Sequence, residues 1–237
     1  MAHDGDWDRW WQDRLSRNRA EVFPYLPTFI HNYNGRNVDP ANSDDLLVSV
    51  MAEYGLRTVL CAGNGVSQEP RALAAVGLDV TSLDISSVAV RFAQAFRGDS
   101  RQRGFFSSPP VCRPEGRVEF VVGDLLDSTV CPGPFDVVIE RRTVQVLRED
   151  VRPTALLALS TRLGNPGIFL SLCLDDPFPQ ELGWSQHDSG LFHASQSWFQ
   201  EHGWTIWDGV PSPALAGRVA WLVRAGSMKS RPRNEGK

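Results

Sequence analysis

No apolar run in the sequence is long enough to span a bilayer. The first residues, MAHDGDWDRWW, are acidic and aromatic, where a secretory leader would be basic and then apolar. These two absences predict a soluble, cytoplasmic chain with no membrane partner. A basic surplus is missing as well: 24 Lys and Arg stand against 28 Asp and Glu, a formal net charge of −4. Holding a nucleic-acid backbone takes a basic face that displaces counterions, so no nucleic-acid partner is expected. The four cysteines, Cys61, Cys112, Cys131 and Cys173, show no paired spacing. That argues against disulfides and a zinc site, and no metal is expected. Internal repeats are also missing.

What is present suits one sizeable domain: 237 residues, 42% of them hydrophobic. Eight tryptophans are many for this length, and filling a core is their commoner use than lining a pocket. Three segments differ in character. Residues 1–42 read as a helical, lid-forming stretch: Trp7, Trp10, Trp11 and Leu15 recur at helical spacing, and Pro24, Pro27, Gly35 and Pro40 then break the chain repeatedly. Residues 43–226 read as the binding domain, and residues 227–237 as a flexible polar tail.

Within the domain, short apolar strands alternate with helices. RTVLCA, LDVTSLD, RVEFVV, FDVVIE and GIFLSLCL are the strands; helices are expected in DDLLVSVMAEYG, QEPRALAAVG, VAVRFAQAFRG, EDVRPTALLALSTRLG and HASQSWFQEHG. Ser86 is placed to cap the third of these helices. Strands WTIWD and RVAWLVR close the chain. The pattern predicts an α/β fold with a mostly parallel sheet and helices on both faces. The last two strands are joined by GVPSPALAG, too short for a crossover helix, so the final strand is expected to run antiparallel.

In such sheets ligands sit beyond the carboxyl ends of the strands. The first strand ends in Ala62-Gly63-Asn64-Gly65, where glycine lets the backbone turn tightly and approach a ligand. The second ends in Asp84, about twenty residues further on, where a carboxylate can accept both hydroxyls of a ribose. The third ends in Gly123-Asp124-Leu125, where Asp124 can accept from an exocyclic amine. Each has a plainer reading: glycines serving only the turn, Asp84 as a helix cap, Asp124 as a turn residue. Their joint occurrence, in order, is harder to obtain from structure alone.

The series VLCAGNG, VTSLDIS, VEFVVGDLLD and FDVVIERR resembles the class I S-adenosylmethionine-dependent methyltransferases, from about Leu46 to Arg224. The resemblance implies a Rossmann-like, seven-stranded sheet of order 3-2-1-4-5-7-6 with its last strand antiparallel, capped by the N-terminal helical segment. It implies S-adenosylmethionine as cofactor and S-adenosylhomocysteine as product. The cofactor contacts it implies are Cys61, Ala62, Gly63, Asn64 and Gly65 around the methionine part, Asp84 and Ile85 at the ribose, Asp124 and Leu125 at adenine, and Glu140. Two positions depart from the family: Cys61 stands where an acid is common, and Ser67 where a third glycine is common. The cysteine removes a carboxylate that helps organise the cofactor's amino-acid end. A dinucleotide-binding oxidoreductase fits less well, because Gln68 stands at the third glycine of its phosphate motif and Glu69 would repel a pyrophosphate.

Methyl transfer is an in-line displacement that needs alignment above all, and a base only for a protonated nucleophile. Glu140, at the end of the fourth strand, and His187 and His193, after the fifth, are the candidate catalytic residues. Arg141, Tyr25 and Tyr33 are candidate contacts for a small-molecule acceptor with an O, N or S nucleophile. Each also has a structural reading, as a surface ion pair, a loop residue or a helix-start histidine. Binding the cofactor without methyl transfer is the alternative.

Overall fold

An apolar run enclosed on every side belongs inside a sheet covered on both faces. Val59, Leu60, Cys61 and Ala62 are each at most 2% exposed, and they form most of β1 (Thr58–Ala62). The computed structural model describes residues 6–17, 51, 54–67, 69–75, 77–95, 116–174, 190–208 and 218–225. Its elements are α1 (Asp6–Arg17), β1, α2 (Glu69–Ala75), β2 (Asp79–Asp84), α3 (Ser87–Ala95), β3 (Val118–Val122), β4 (Phe135–Arg141), α4 (Thr143–Val146), α5 (Arg152–Thr161), β5 (Leu163–Leu174), α6 (Gly190–Glu201), β6 (Thr205–Asp208) and β7 (Arg218–Ala225).

The strands lie in the order β3-β2-β1-β4-β5-β7-β6. The five from β3 to β5 are mutually parallel and carry the candidate site. From β1 the chain winds outward through β2 to β3, then crosses back to β4 on the other side of β1. The direction of winding therefore reverses between β1 and β4, and ligands in open sheets settle at the carboxyl ends of strands beside such a reversal.

Two expectations are corrected. The last strand is parallel, not antiparallel: β7 pairs with β5 from Gly167↔Arg218 to Leu174↔Ala225, and with β6 from Thr205↔Val219 to Asp208↔Leu222. Nine connecting residues leave no room for a crossover helix, but β6 is only four residues long. At about 3.3 Å per residue, nine residues are long enough to return along so short a strand without one. Likewise α5 stops at Thr161 rather than Gly164, and β5 starts at Leu163, whose partner is Phe135. The reason is Arg162. Its side chain donates to the carbonyls of Ala158, Val130, Cys131 and Asp127, so tertiary bonds fix the end of the helix where glycine alone would have carried it further.

The core joins Leu60, Leu83, Val138, Leu156, Leu159 and Phe169 to Phe199 and Trp204. Phe199 of α6 lies 4.8 Å, ring to ring, from Phe169 and 5.1 Å from Trp204. Trp204 thus fills the core, and each fully buried aromatic there contributes roughly 1.5–3 kcal/mol. Among the described residues no helix is long and apolar enough to cross a membrane.

Candidate functional site at the strand ends

The turn after β1 is built on two left-handed glycines, Gly63 (φ +62°) and Gly65 (φ +56°). Side chains strain such a backbone, whereas glycine adopts it freely. The Gly63 and Asn64 amides donate to Leu83 O at 2.7 and 3.3 Å. The Gly65 amide donates to Asp84 Oδ2 at 2.7 Å, and the Ser86 amide to Asp84 Oδ1 at 2.8 Å. Just past β3, the Gly123 amide donates to Asp84 O at 2.9 Å. Asp84 therefore ties the ends of β1, β2 and β3 into one unit. It is 8% exposed. Burial raises its carboxyl above the ordinary value, the Ser86 and Gly65 amides pull it down, and the Asp8 charge raises it again. Each oxygen accepts one of these bonds and keeps a second lone pair.

Ser67, in the place of a third glycine, closes the turn: its amide donates to Asn64 O at 3.1 Å, and its hydroxyl accepts from the Glu69 amide at 3.2 Å, starting α2. Glu69 itself is buried. Burial pushes the Cys61 thiol well above its ordinary value, the Glu69 carboxylate adds to the effect, and the Arg141 guanidinium opposes it. The thiol is thus neutral and enclosed, with the Glu69 carboxyl near this strand end.

On the other side of the reversal, Glu140 lies between Ala62 of β1 and Ser171 of β5 in the sheet. It is wholly enclosed. One carboxylate oxygen accepts from the Thr143 and Val144 amides at 3.0 and 3.1 Å, and the other accepts from the Ser171 hydroxyl. Arg142, left-handed at φ 63°, turns the chain so that these amides face Glu140. The consequence falls on Thr143: its hydroxyl donates to Ala62 O at 3.0 Å and fills the space a Cβ at Gly63 would need. Nothing in the sequence singled out Thr143, because its partner lies 81 positions away.

The chain matches no family model and no curated protein. Among solved structures it is similar to magnesium protoporphyrin IX methyltransferase from Synechocystis PCC 6803 with bound SAM: 17% identity, 81% of this chain and 85% of that one covered, TM-score 0.46. TehB from Haemophilus influenzae is 14% identical, with 65% and 49% covered and a TM-score of 0.45. A third, from a study titled for the conversion of a disulfide bond into a thioacetal group during echinomycin biosynthesis, is 24% identical, with 62% and 58% covered and a TM-score of 0.37. The chain spans about half the length of the second of these and 58% of the third.

Of the other expected site residues, Asp124 holds a turn, accepting from the Leu126 amide at 2.8 Å, and Leu125 is buried in the core. Ile85 follows Asp84 and is half-buried, as is Arg141 at the end of β4. His193 falls within α6. Tyr25, Tyr33 and His187 lie outside the described residues. Among the described residues no group of three or more metal-ligating side chains occurs.

The N-terminal helix also reaches this site. Trp11 of α1 lies against Gly65, where it fills the space of a missing Cβ. Asp8 accepts from the hydroxyls of Ser86 and Ser87. Amphipathic spacing shows α1 in the sequence, but no local pattern marks Asp8, whose partners are 78 to 80 positions away.

Proposed function

We propose that the chain binds S-adenosylmethionine at the carboxyl ends of β1, β2 and β3 and transfers its methyl group to a small-molecule acceptor. The observation that carries this reading is Asp84, whose carboxylate braces the two-glycine turn through Gly65 while each oxygen keeps a lone pair. Those lone pairs suit two ribose hydroxyls. In this reading the backbone at Gly63 and Gly65, with Cys61, Ala62 and Asn64 around it, holds the methionine part. Ile85 borders the ribose, and Asp124 with Leu125 meets adenine. The charge around the turn fits a cationic sulfonium better than a phosphate: Glu69 is buried at the start of α2, and a pyrophosphate there would meet a carboxylate.

When bound, the sulfonium supplies an activated methyl group; the protein supplies alignment. Glu140 contributes by position, holding Thr143 against the glycine turn. Arg141, Tyr25, Tyr33, His187 and His193 are proposed on the acceptor side, with a histidine taking a proton where the nucleophile carries one. A second reading, binding without transfer, is favoured by one observation: both Glu140 oxygens are committed to backbone amides and Ser171.

Asp84→Ala is expected to weaken S-adenosylhomocysteine binding by about tenfold or more, since it removes charge-assisted bonds to two hydroxyls. Unchanged affinity in calorimetry removes the ribose role of Asp84. Formation of S-adenosylhomocysteine across a panel of small acceptors separates the two readings: turnover supports transfer, and binding without turnover supports the second.

A further inference from the structure

We propose that α1 is a lid over the glycine turn, held shut by Asp8 on the start of α3, and that its release admits the ligand to Gly65 and Asp84. The inference rests on the nucleoside reading of that turn. Three amide or hydroxyl groups converge on Asp8. The Ser86 hydroxyl donates to Oδ1 at 2.6 Å, the Val88 amide to Oδ1 at 3.1 Å, and the Ser87 hydroxyl to Oδ2 at 2.9 Å. Ser86 caps α3 in its own right, its hydroxyl accepting from the Ala89 amide at 3.1 Å. Asp8 thus supplies a carboxylate to the positive end of a helix distant in sequence, where a negative charge is favoured.

One turn further along α1, Trp11 presses its indole on Gly65: a Cβ there would come within 2.6 Å of Cζ2. Trp11, Leu15 and Phe92 pack against Val66 and Ala89. The same helix therefore covers the glycine turn and grips the residues that follow Asp84. Asp84, Ser86, Val66 and Ser67 are all buried beside this cover, and in this proposal a shift of α1 opens the way to Asp84. The latch itself is polar: water replaces Asp8 at two serine hydroxyls and one amide with little net loss, so the cost of opening falls on the apolar contacts of Trp11 and Leu15.

The test uses the full chain, with amide hydrogen exchange on the ligand-free protein and stopped-flow association of S-adenosylhomocysteine. Asp8→Asn keeps the shape and removes the charge; Ser87→Ala leaves Asp8 in place and removes one donor. Both are expected to speed exchange over residues 6–17, Asp8→Asn by about tenfold, and to raise the association rate in the same order. Trp11→Ala is expected to raise the association rate without speeding exchange at α3. Unchanged exchange in Asp8→Asn overturns the latch, and faster exchange with an unchanged association rate overturns the lid. Binding by Asp8→Asn but not by the unaltered protein supports it. Binding by neither overturns the nucleoside reading, while the exchange result still decides the latch.

Discussion

Glu140 shows how far one residue's role follows from its place in the sheet. A carboxylate at the end of the fourth strand reads as a group facing a ligand. Its surroundings instead give it three donors within the protein, and burial raises its carboxyl above the ordinary 4.5, with the bonds from Ser171, Val144 and Thr143 opposing. An acid held more tightly protonated in the folded state than in the unfolded one favours folding most at low pH. That contribution is complete below the ordinary value and is lost as pH rises through the raised one. Glu140→Gln keeps the network: its carbonyl accepts both amides and its NH2 donates to the Ser171 oxygen. The variant should therefore lose less stability than the unaltered protein as pH rises from mildly acidic to neutral, read as urea midpoints. Parallel pH profiles contradict the assignment. Asp84 adds a slope of the same sign in both proteins. The residues legible in advance, Gly63, Gly65 and Asp84, belong to a motif of local spacing. Thr143 and Asp8 were not legible, because each acquires its meaning from a partner some eighty positions away.

The elements themselves were read from periodicity where periodicity is strong. β1, β2, β3 and β4 fall within a residue or two of their apolar runs, and Ser86 caps α3 as its position before the helix suggests. The short helix α4 was missed, since four residues carry no period, and it exists because Glu140 collects its first amides. The end of α5 was misplaced because Arg162 is an exposed-type residue by composition but only 2% exposed here. Its guanidinium clasps the connection between β3 and β4 through the carbonyls of Asp127, Val130 and Cys131. That connection carries Asp124 and Leu125, so the clasp sets their level against the strand ends. Arg162→Met leaves those carbonyls without donors and is expected to cost about 3 kcal/mol or more in urea unfolding. A loss under about 1 kcal/mol would show that the connection holds without it.

At the scale of the whole molecule, the alternation of strand and helix was enough to predict a mostly parallel sheet flanked by helices. The direction of β7 was not recoverable, because nine connecting residues permit either sense once β6 is as short as four. The candidate site depends on the part that was legible: winding reverses between β1 and β4, and the residues proposed for the nucleoside lie at the carboxyl ends of β1, β2 and β3 beside that reversal. The most direct measurement of the central claim is calorimetric titration of the full chain with S-adenosylmethionine, S-adenosylhomocysteine and NAD(P). Saturable binding of the two sulfur nucleosides, with none of the dinucleotide, is the result predicted by Asp84 and Glu69 together. Tight binding of NAD(P) without either sulfur nucleoside would contradict it.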